Sequence, residues 1–161
     1  MRHEKITLPE IQLVGIAVRT SNAKEMNQAT AQIGTTIQRY LDEAIAQKIQ
    51  HKKSPGKTCC VYTEYESDQN SDYTYLIGEE VTSSMPQAGL KLITVPKQTY
   101  IKFTTEPGKM PAIAISAWQT IWGTSFSDWG GRRFKTDFEL YDERALDPDN
   151  AVLDICIGVN R

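Results

Sequence analysis

Thr136-Asp137-Phe138-Glu139-Leu140-Tyr141 is the stretch on which the fold turns. It echoes Thr63-Glu64-Tyr65-Glu66-Ser67, since each copy places a glutamate directly after an aromatic. Each copy is followed by a turn-rich gap and a second apolar strand. A repeated frame of this kind predicts two copies of one structural unit. Only the second copy runs on into a tyrosine, which marks that unit as the one carrying a specialised site.

Outward from the echo, the first unit opens with a strand over Leu8 to Arg19, rich in β-branched residues. Ser21 and Asn22 are N-cap candidates for a long amphipathic helix from Ala23 to about Lys48. Its apolar residues, among them Met26, Ile33, Ile37, Tyr40 and Ile45, recur at helical spacing. His51 to Lys57 is a basic Pro-Gly loop, read as a solvated connection. Strands over Thr58 to Glu66 and Asp72 to Glu79 flank the polar turn Ser67 to Ser71. Tyr73, Tyr75 and Ile77 share one face of the second strand. Val81 to Ala88 is a linker.

The order then recurs. Gly89 to Thr104 is strand-like and bent at Pro96. Pro111 to Trp122 is a helix, Gly123 to Gly131 a loop, and Arg132 to Tyr141 and Ala151 to Asn160 are the closing strands. The pattern β-α-β-β, twice, predicts an α+β fold with pseudo-twofold symmetry. It combines one antiparallel sheet, two main helices on one face and a central ligand pocket at the seam. The whole chain, residues 1–161, is read as one domain, with repeat one at about 6–81 and repeat two at about 89–160.

Composition narrows the function classes. The chain has 161 residues, 40% hydrophobic and 24% charged, with a net charge of -2. That balance argues against direct nucleic-acid binding, whose footprint is a basic excess. No apolar run is long enough to span a bilayer and no charged-then-apolar leader opens the chain, so a cytoplasmic protein is expected. Cys59 and Cys60 are adjacent, Cys156 lies in an apolar strand, and the histidines are His3 and His51 alone. No metal site is expected from such spacing, and no cofactor. Gly130-Gly131 is no phosphate loop, and no Gly-x-Ser-x-Gly elbow exists. The pairs Glu64/Glu66 and Asp137/Glu139 have the form of acid–base carboxylates, but exposed strand charges explain them as simply. No catalytic residue is assigned.

Glu139 is the centre of the functional reading. Strand alternation puts Asp137, Glu139 and Tyr141 on one face and Phe138 and Leu140 on the other. Taken alone, this leaves Glu139 in solvent beside a core strand. The aromatic supply argues the other way. Tyr141 lies two residues along the strand, Tyr73 and Tyr75 belong to the first unit, and Trp118 and Trp122 stand four apart on the second helix. Aromatic faces around a carboxylate suit a cationic ligand, at roughly 0.5–2 kcal/mol each. The ligand-binding set is therefore Glu139, Tyr141, Trp118, Trp122, Tyr75 and Tyr73. Trp129, beside two glycines, is a lid or a plug, with the plug favoured.

The two β-α-β-β units, the tryptophan-bearing helix and the Phe138-Glu139-Leu140-Tyr141 strand resemble the gyrase-inhibitor-like, or AraC-type effector-binding, superfamily. The opening Pro9-Glu10-Ile11-Gln12-Leu13-Val14-Gly15-Ile16-Ala17-Val18-Arg19-Thr20 is similar to that family's start. The resemblance implies a small-molecule sensor fold binding amphipathic, often cationic, compounds, with Glu139 at the pocket's acidic position and Tyr141 two residues on. The chain starts about where such an effector domain starts, which suggests a stand-alone member. Alternatives implied by the family are a hydrolase of strained cyclopropane-type electrophiles and a partner of gyrase or of a transcription regulator.

Overall fold

A computed structural model describes residues 1–161. Its frame is one eight-stranded antiparallel sheet with four short helices, matching the predicted α+β class. The strands are β1 (Arg2–Leu8), β2 (Ile11–Thr20), β3 (Thr58–Thr63), β4 (Tyr73–Val81), β5 (Lys91–Val95), β6 (Gln98–Thr104), β7 (Thr136–Tyr141) and β8 (Asp154–Val159). The helices are α1 (Asn22–Glu25), α2 (Ile33–Asp42), α3 (Ile45–Lys48) and α4 (Ala112–Trp122). The spatial order is β1-β6-β8-β7-β3-β4-β2-β5, so the two units meet where β3 pairs with β7.

The sheet returns on itself. Leu8 pairs with Gln98 and Ile11 with Val95, so pairing resumes in the same register beyond a two-residue break. Residues 2–20 and 91–104 thus form one long ribbon bent at Pro9-Glu10 and Pro96-Lys97. Proline lacks the N–H that a ladder needs, which places the bend at those positions. The ribbon's two ends supply the two edges of the sheet. β1 is absent from the sequence reading, because Arg2, His3, Glu4 and Lys5 give it no apolar alternation and its outer residues are exposed.

Both faces of the sheet are buried. On one, Val14, Ile16, Cys60, Tyr73, Tyr75 and Ile77 pack under α2 and α3, through Tyr40, Ile45 and Ile49. The equivalent surface of the second unit, including Ile101, Ile155 and Ile157, packs under α4 through Ala114, Ala117 and Ile121. The other face carries no helix. Leu13, Val61, Leu76, Tyr100, Phe138 and Cys156 form its core, closed by Ile6, Leu8 and Ile11 of the bent ribbon.

The first helical region differs from the expected single helix. Ser21 caps α1, whose fourth residue is Glu25; the chain then turns through residues 26–32. Met26, counted into the apolar stripe, is 89% exposed. The Glu25 carboxylate accepts from the backbone N–H groups of Gln32 and Ile33 and so caps the start of α2 from a distance. Ala44, at φ 48, ends that helix in the left-handed region before α3 begins.

The echo that announced the duplication also takes a different meaning. Thr63 is the last residue of β3 and Thr136 the first of β7, and they face each other across the seam with hydroxyls 2.9 Å apart. Glu64, at φ 53, leaves the sheet and is exposed, whereas Asp137 to Tyr141 run back along β3. The two copies diverge from a shared point; they are not structural equivalents. Trp129 packs against Phe126 and His3 at centroid distances of 5.8 and 5.7 Å, plugging the end of the second unit's core.

Candidate functional site

The β3–β7 seam lies under the gap between α2 and α4, and a cavity of about 420 Å³ opens there. All six residues singled out from sequence (Glu139, Tyr141, Trp118, Trp122, Tyr75 and Tyr73) line it. Alternation puts Glu139 and Tyr141 on the face that the helices cover, while Phe138 and Leu140 go to the helix-free core. Alternation alone would leave that side of Glu139 to solvent; α4 covers it.

Glu139 is 7% exposed. Its carboxylate accepts from Trp118 Nε1 at 2.5 Å and from the Tyr141 hydroxyl at 3.2 Å. Burial pushes its pKa above the ordinary glutamate value, against the pull of the Trp118, Tyr141 and Tyr62 donors. Its cross-strand neighbour is Cys60, a buried thiol whose own pKa rises, chiefly by burial and then by the Glu139 charge. No lysine or arginine pairs with Glu139; its hydrogen-bond donors are neutral.

The wall is aromatic. Tyr62, which the sequence reading passed over, is its hub. Its ring stands 5.3 Å from Trp118, 5.4 Å from Tyr75 and 5.6 Å from Tyr73. Two of these contacts are edge-to-face, the arrangement that opposes a ring's positive rim to a negative face. Trp118 and Trp122 lie 6.1 Å apart on α4, and Trp122 is 62% exposed at the mouth. Ile33 and Ile37 of α2 supply the aliphatic side. Only the pairing of β3 with β7 reveals Tyr62, because that register places it across from Asp137 and beside the Glu139 row.

The second acid of the pair has a different setting. Asp137 is fully buried and saturated by Arg132 at 2.8 Å, the Tyr65 hydroxyl at 2.7 Å and the Gly158 N–H at 2.8 Å. Arg132 also stacks 4.4 Å over the Phe134 ring. Asp137 holds the seam together, while Glu139 stands two residues away without a counter-charge. No cluster of histidine, cysteine and carboxylate groups has metal-binding geometry. No helix is long and apolar enough to cross a membrane.

The family model of integron-associated effector-binding proteins, Cass2, matches residues 6–159. The chain belongs to this family. Its fold is that of the gyrase-inhibitor-like effector-binding domains, and small-molecule binding is its function class. The integron cassette protein Cass2 from the mobile metagenome of Vibrio cholerae is 26% identical, with TM-score 0.77 over 98% of this chain and 95% of that one. SAV2435, solved bound to tetraphenylphosphonium, has the same fold at 18% identity, with TM-score 0.78 over 99% and 94% of the two chains. The Bacillus subtilis (strain 168) protein YobU, described as a candidate transcriptional regulator, is 28% identical over 152 residues, 91% of each chain.

Proposed function

We propose that the cavity between α2 and α4 takes an amphipathic organic cation, with Glu139 as the counter-charge and Tyr62, Tyr73, Tyr75, Trp118, Trp122 and Tyr141 as the wall. One observation carries this reading. A carboxylate that is 7% exposed has only neutral donors, inside a ring of aromatic faces. An ion removed from water without a partner is destabilising by several kcal/mol, about as much as a bound cation can recover. The aromatic faces add cation–π attraction to the same ligand. The tetraphenylphosphonium held by SAV2435 is a ligand of this chemistry and supports the reading.

The description of YobU supports sensing, with the occupied form read by a partner such as a transcription regulator, over simple sequestration. Hydrolysis of a strained electrophile is a second reading, favoured only by the raised Glu139 pKa. Catalytic turnover of a cyclopropane-bearing alkylator would establish it; stoichiometric binding without product rejects it.

The test of the binding reading is titration with tetraphenylphosphonium and with neutral triphenylphosphine oxide, followed by tryptophan fluorescence. The cation binds more tightly, and Glu139→Gln removes that preference while leaving the neutral compound's affinity unchanged. Equal affinities in the native protein, or a preference that survives the substitution, would sink the reading.

A further inference from the structure

The cavity under α2 and α4 does not end at Trp122. A second hollow, of about 590 Å³, adjoins it, and Asn22, Glu25, Gln69, Trp122 and Arg132 line both. Two of these shared residues are bonded across the groove. Asn22 Nδ2 donates to the Gln69 carbonyl at 3.0 Å, and the Tyr73 hydroxyl donates to Asn22 Oδ1 at 3.2 Å. These bonds tie α1 to the turn between β3 and β4. The outer hollow has its own apolar lining in Ile121, Phe126 and Phe134, with Met26 beside them. Trp122 and Met26 are 62% and 89% exposed. Two large apolar side chains are thus left in water at a groove that leads to the ligand site.

The charges of the outer hollow are already engaged. Arg132 pairs with Asp137 at 2.8 Å. Glu25 accepts from the Thr20 hydroxyl at 2.6 Å and from the backbone N–H groups of Gln32 and Ile33, where a helix N-terminus favours a carboxylate. The uncommitted polar groups are neutral. Gln69 is engaged through its backbone carbonyl and Asn70 through its backbone N–H. Both side-chain amides remain free, and each can donate and accept.

We infer that the outer hollow is the second half of the ligand site and takes a neutral aromatic arm bearing an amide or a similar hydrogen-bonding group. It rests on the cation reading of the inner cavity and narrows the ligand class to elongated compounds. A bulky cation lies against Glu139, a short linker passes Trp122, and an aryl amide occupies the outer hollow. Its ring packs on the exposed Trp122 indole and Phe134, and its amide meets the Gln69 and Asn70 side chains. Continuity selects this occupant, because Trp122 is a wall of both cavities. With Arg132 and Glu25 each engaged within the protein, a charged arm has no free counter-charge to meet.

The probes are pentyltriphenylphosphonium and (benzamidopentyl)triphenylphosphonium, titrated into protein with labelled methionine and isoleucine methyls and followed by NMR and calorimetry. The benzamide binds tighter by about fivefold or more. Both compounds shift Met110 and Ile37 of the inner cavity, and only the benzamide shifts Met26 and Ile121 of the outer one. Met26→Ala combined with Asn70→Ala, both at exposed positions outside the inner cavity, removes the benzamide's advantage and leaves pentyltriphenylphosphonium unchanged. An ammoniopentyl arm gains no such advantage. The same arms on neutral diphenylphosphine oxide separate the two readings: a failed cation preference leaves the arm's advantage in place, and a failed arm leaves the cation preference in place. Equal affinity of the two phosphonium probes, an unmoved Met26 methyl, an advantage that survives the double substitution, or an ammonium arm that matches the benzamide would each overturn the inference.

Discussion

Trp118 Nε1 donates to Glu139 Oε2 at 2.5 Å, and this bond ties α4 to the seam strand β7. It satisfies an indole N–H that has left water and gives a buried carboxylate one strong donor. It supplies no positive charge. The protein thus carries a desolvated acid that is hydrogen-bonded but not neutralised, and the following expectations grow from that arrangement.

Glu139→Gln should stabilise the ligand-free protein at neutral pH. The amide oxygen still accepts from Trp118, and the amide N–H groups face the Tyr141 oxygen. A desolvated charge disappears, at the smaller cost that the Tyr141 hydroxyl, now accepting from the amide, loses Glu139 as the acceptor for its own proton. We expect a gain on the order of 1 kcal/mol, measured by urea unfolding, together with a roughly tenfold or larger loss of affinity for tetraphenylphosphonium. A less stable variant would mean that the ionised carboxylate already has a compensating partner.

The pH dependence follows from the same group. Glu139 has a raised folded-state pKa, so from about 4.5 upward the folded protein holds a proton that the unfolded chain releases. Its contribution to stability therefore falls as pH climbs from that value through the raised one. Glu79, buried beneath α3, shifts in the same direction and steepens the fall. Cation binding runs the other way: affinity rises as Glu139 ionises and then levels off, with proton release on binding below the plateau. Calorimetry in buffers of different ionisation enthalpy counts those protons. A flat affinity profile would show that the ligand does not use the carboxylate.

The two tryptophans of α4 should separate cleanly. Trp118→Phe keeps an aromatic face but loses the donor, so the Glu139 pKa climbs further and the rise in cation affinity moves to higher pH. Trp122→Ala, at the exposed mouth, weakens binding by about 0.5–2 kcal/mol without moving that profile. Titrations of both variants at several pH values distinguish positioning of the carboxylate from simple wall area.

Asp137→Asn is expected to damage the fold and not the preference for charge. It leaves the Arg132 guanidinium without its carboxylate at a fully buried position, at about 3–5 kcal/mol. Urea denaturation reads the loss. The ratio of tetraphenylphosphonium to triphenylphosphine oxide affinity stays as in the native protein.

Tyr40→Phe tests the packing of α2 against the sheet. The Tyr40 hydroxyl is buried without a hydrogen-bond partner, and its ring belongs to the first unit's core. Removing the oxygen removes an unmet desolvation penalty, so stability should hold or rise by up to about 1 kcal/mol. A clear loss in a thermal melt would reveal a partner that the geometry does not contain.

What the sequence determined by itself was order and parity. Local propensity and turn chemistry made the two β-α-β-β units legible. The two-residue period put Glu139 with Tyr141, and the helical period put Trp118 with Trp122. These are short-range properties, carried by the residues themselves. Which side of a strand meets water is not such a property. It depends on α4 lying over β7, on Pro9 and Pro96 bending one ribbon around the helix-free face, and on the β3–β7 register that brings Tyr62 to the seam. Met26 shows the limit from the other side: it kept the helical period yet lies in solvent, because Glu25 caps a new helix at Ile33 and the chain never formed the long one. Burial is a consequence of contacts between residues far apart in the chain, so the charge state of Glu139, and with it the chemistry of the pocket, was decided only when the two units closed on each other.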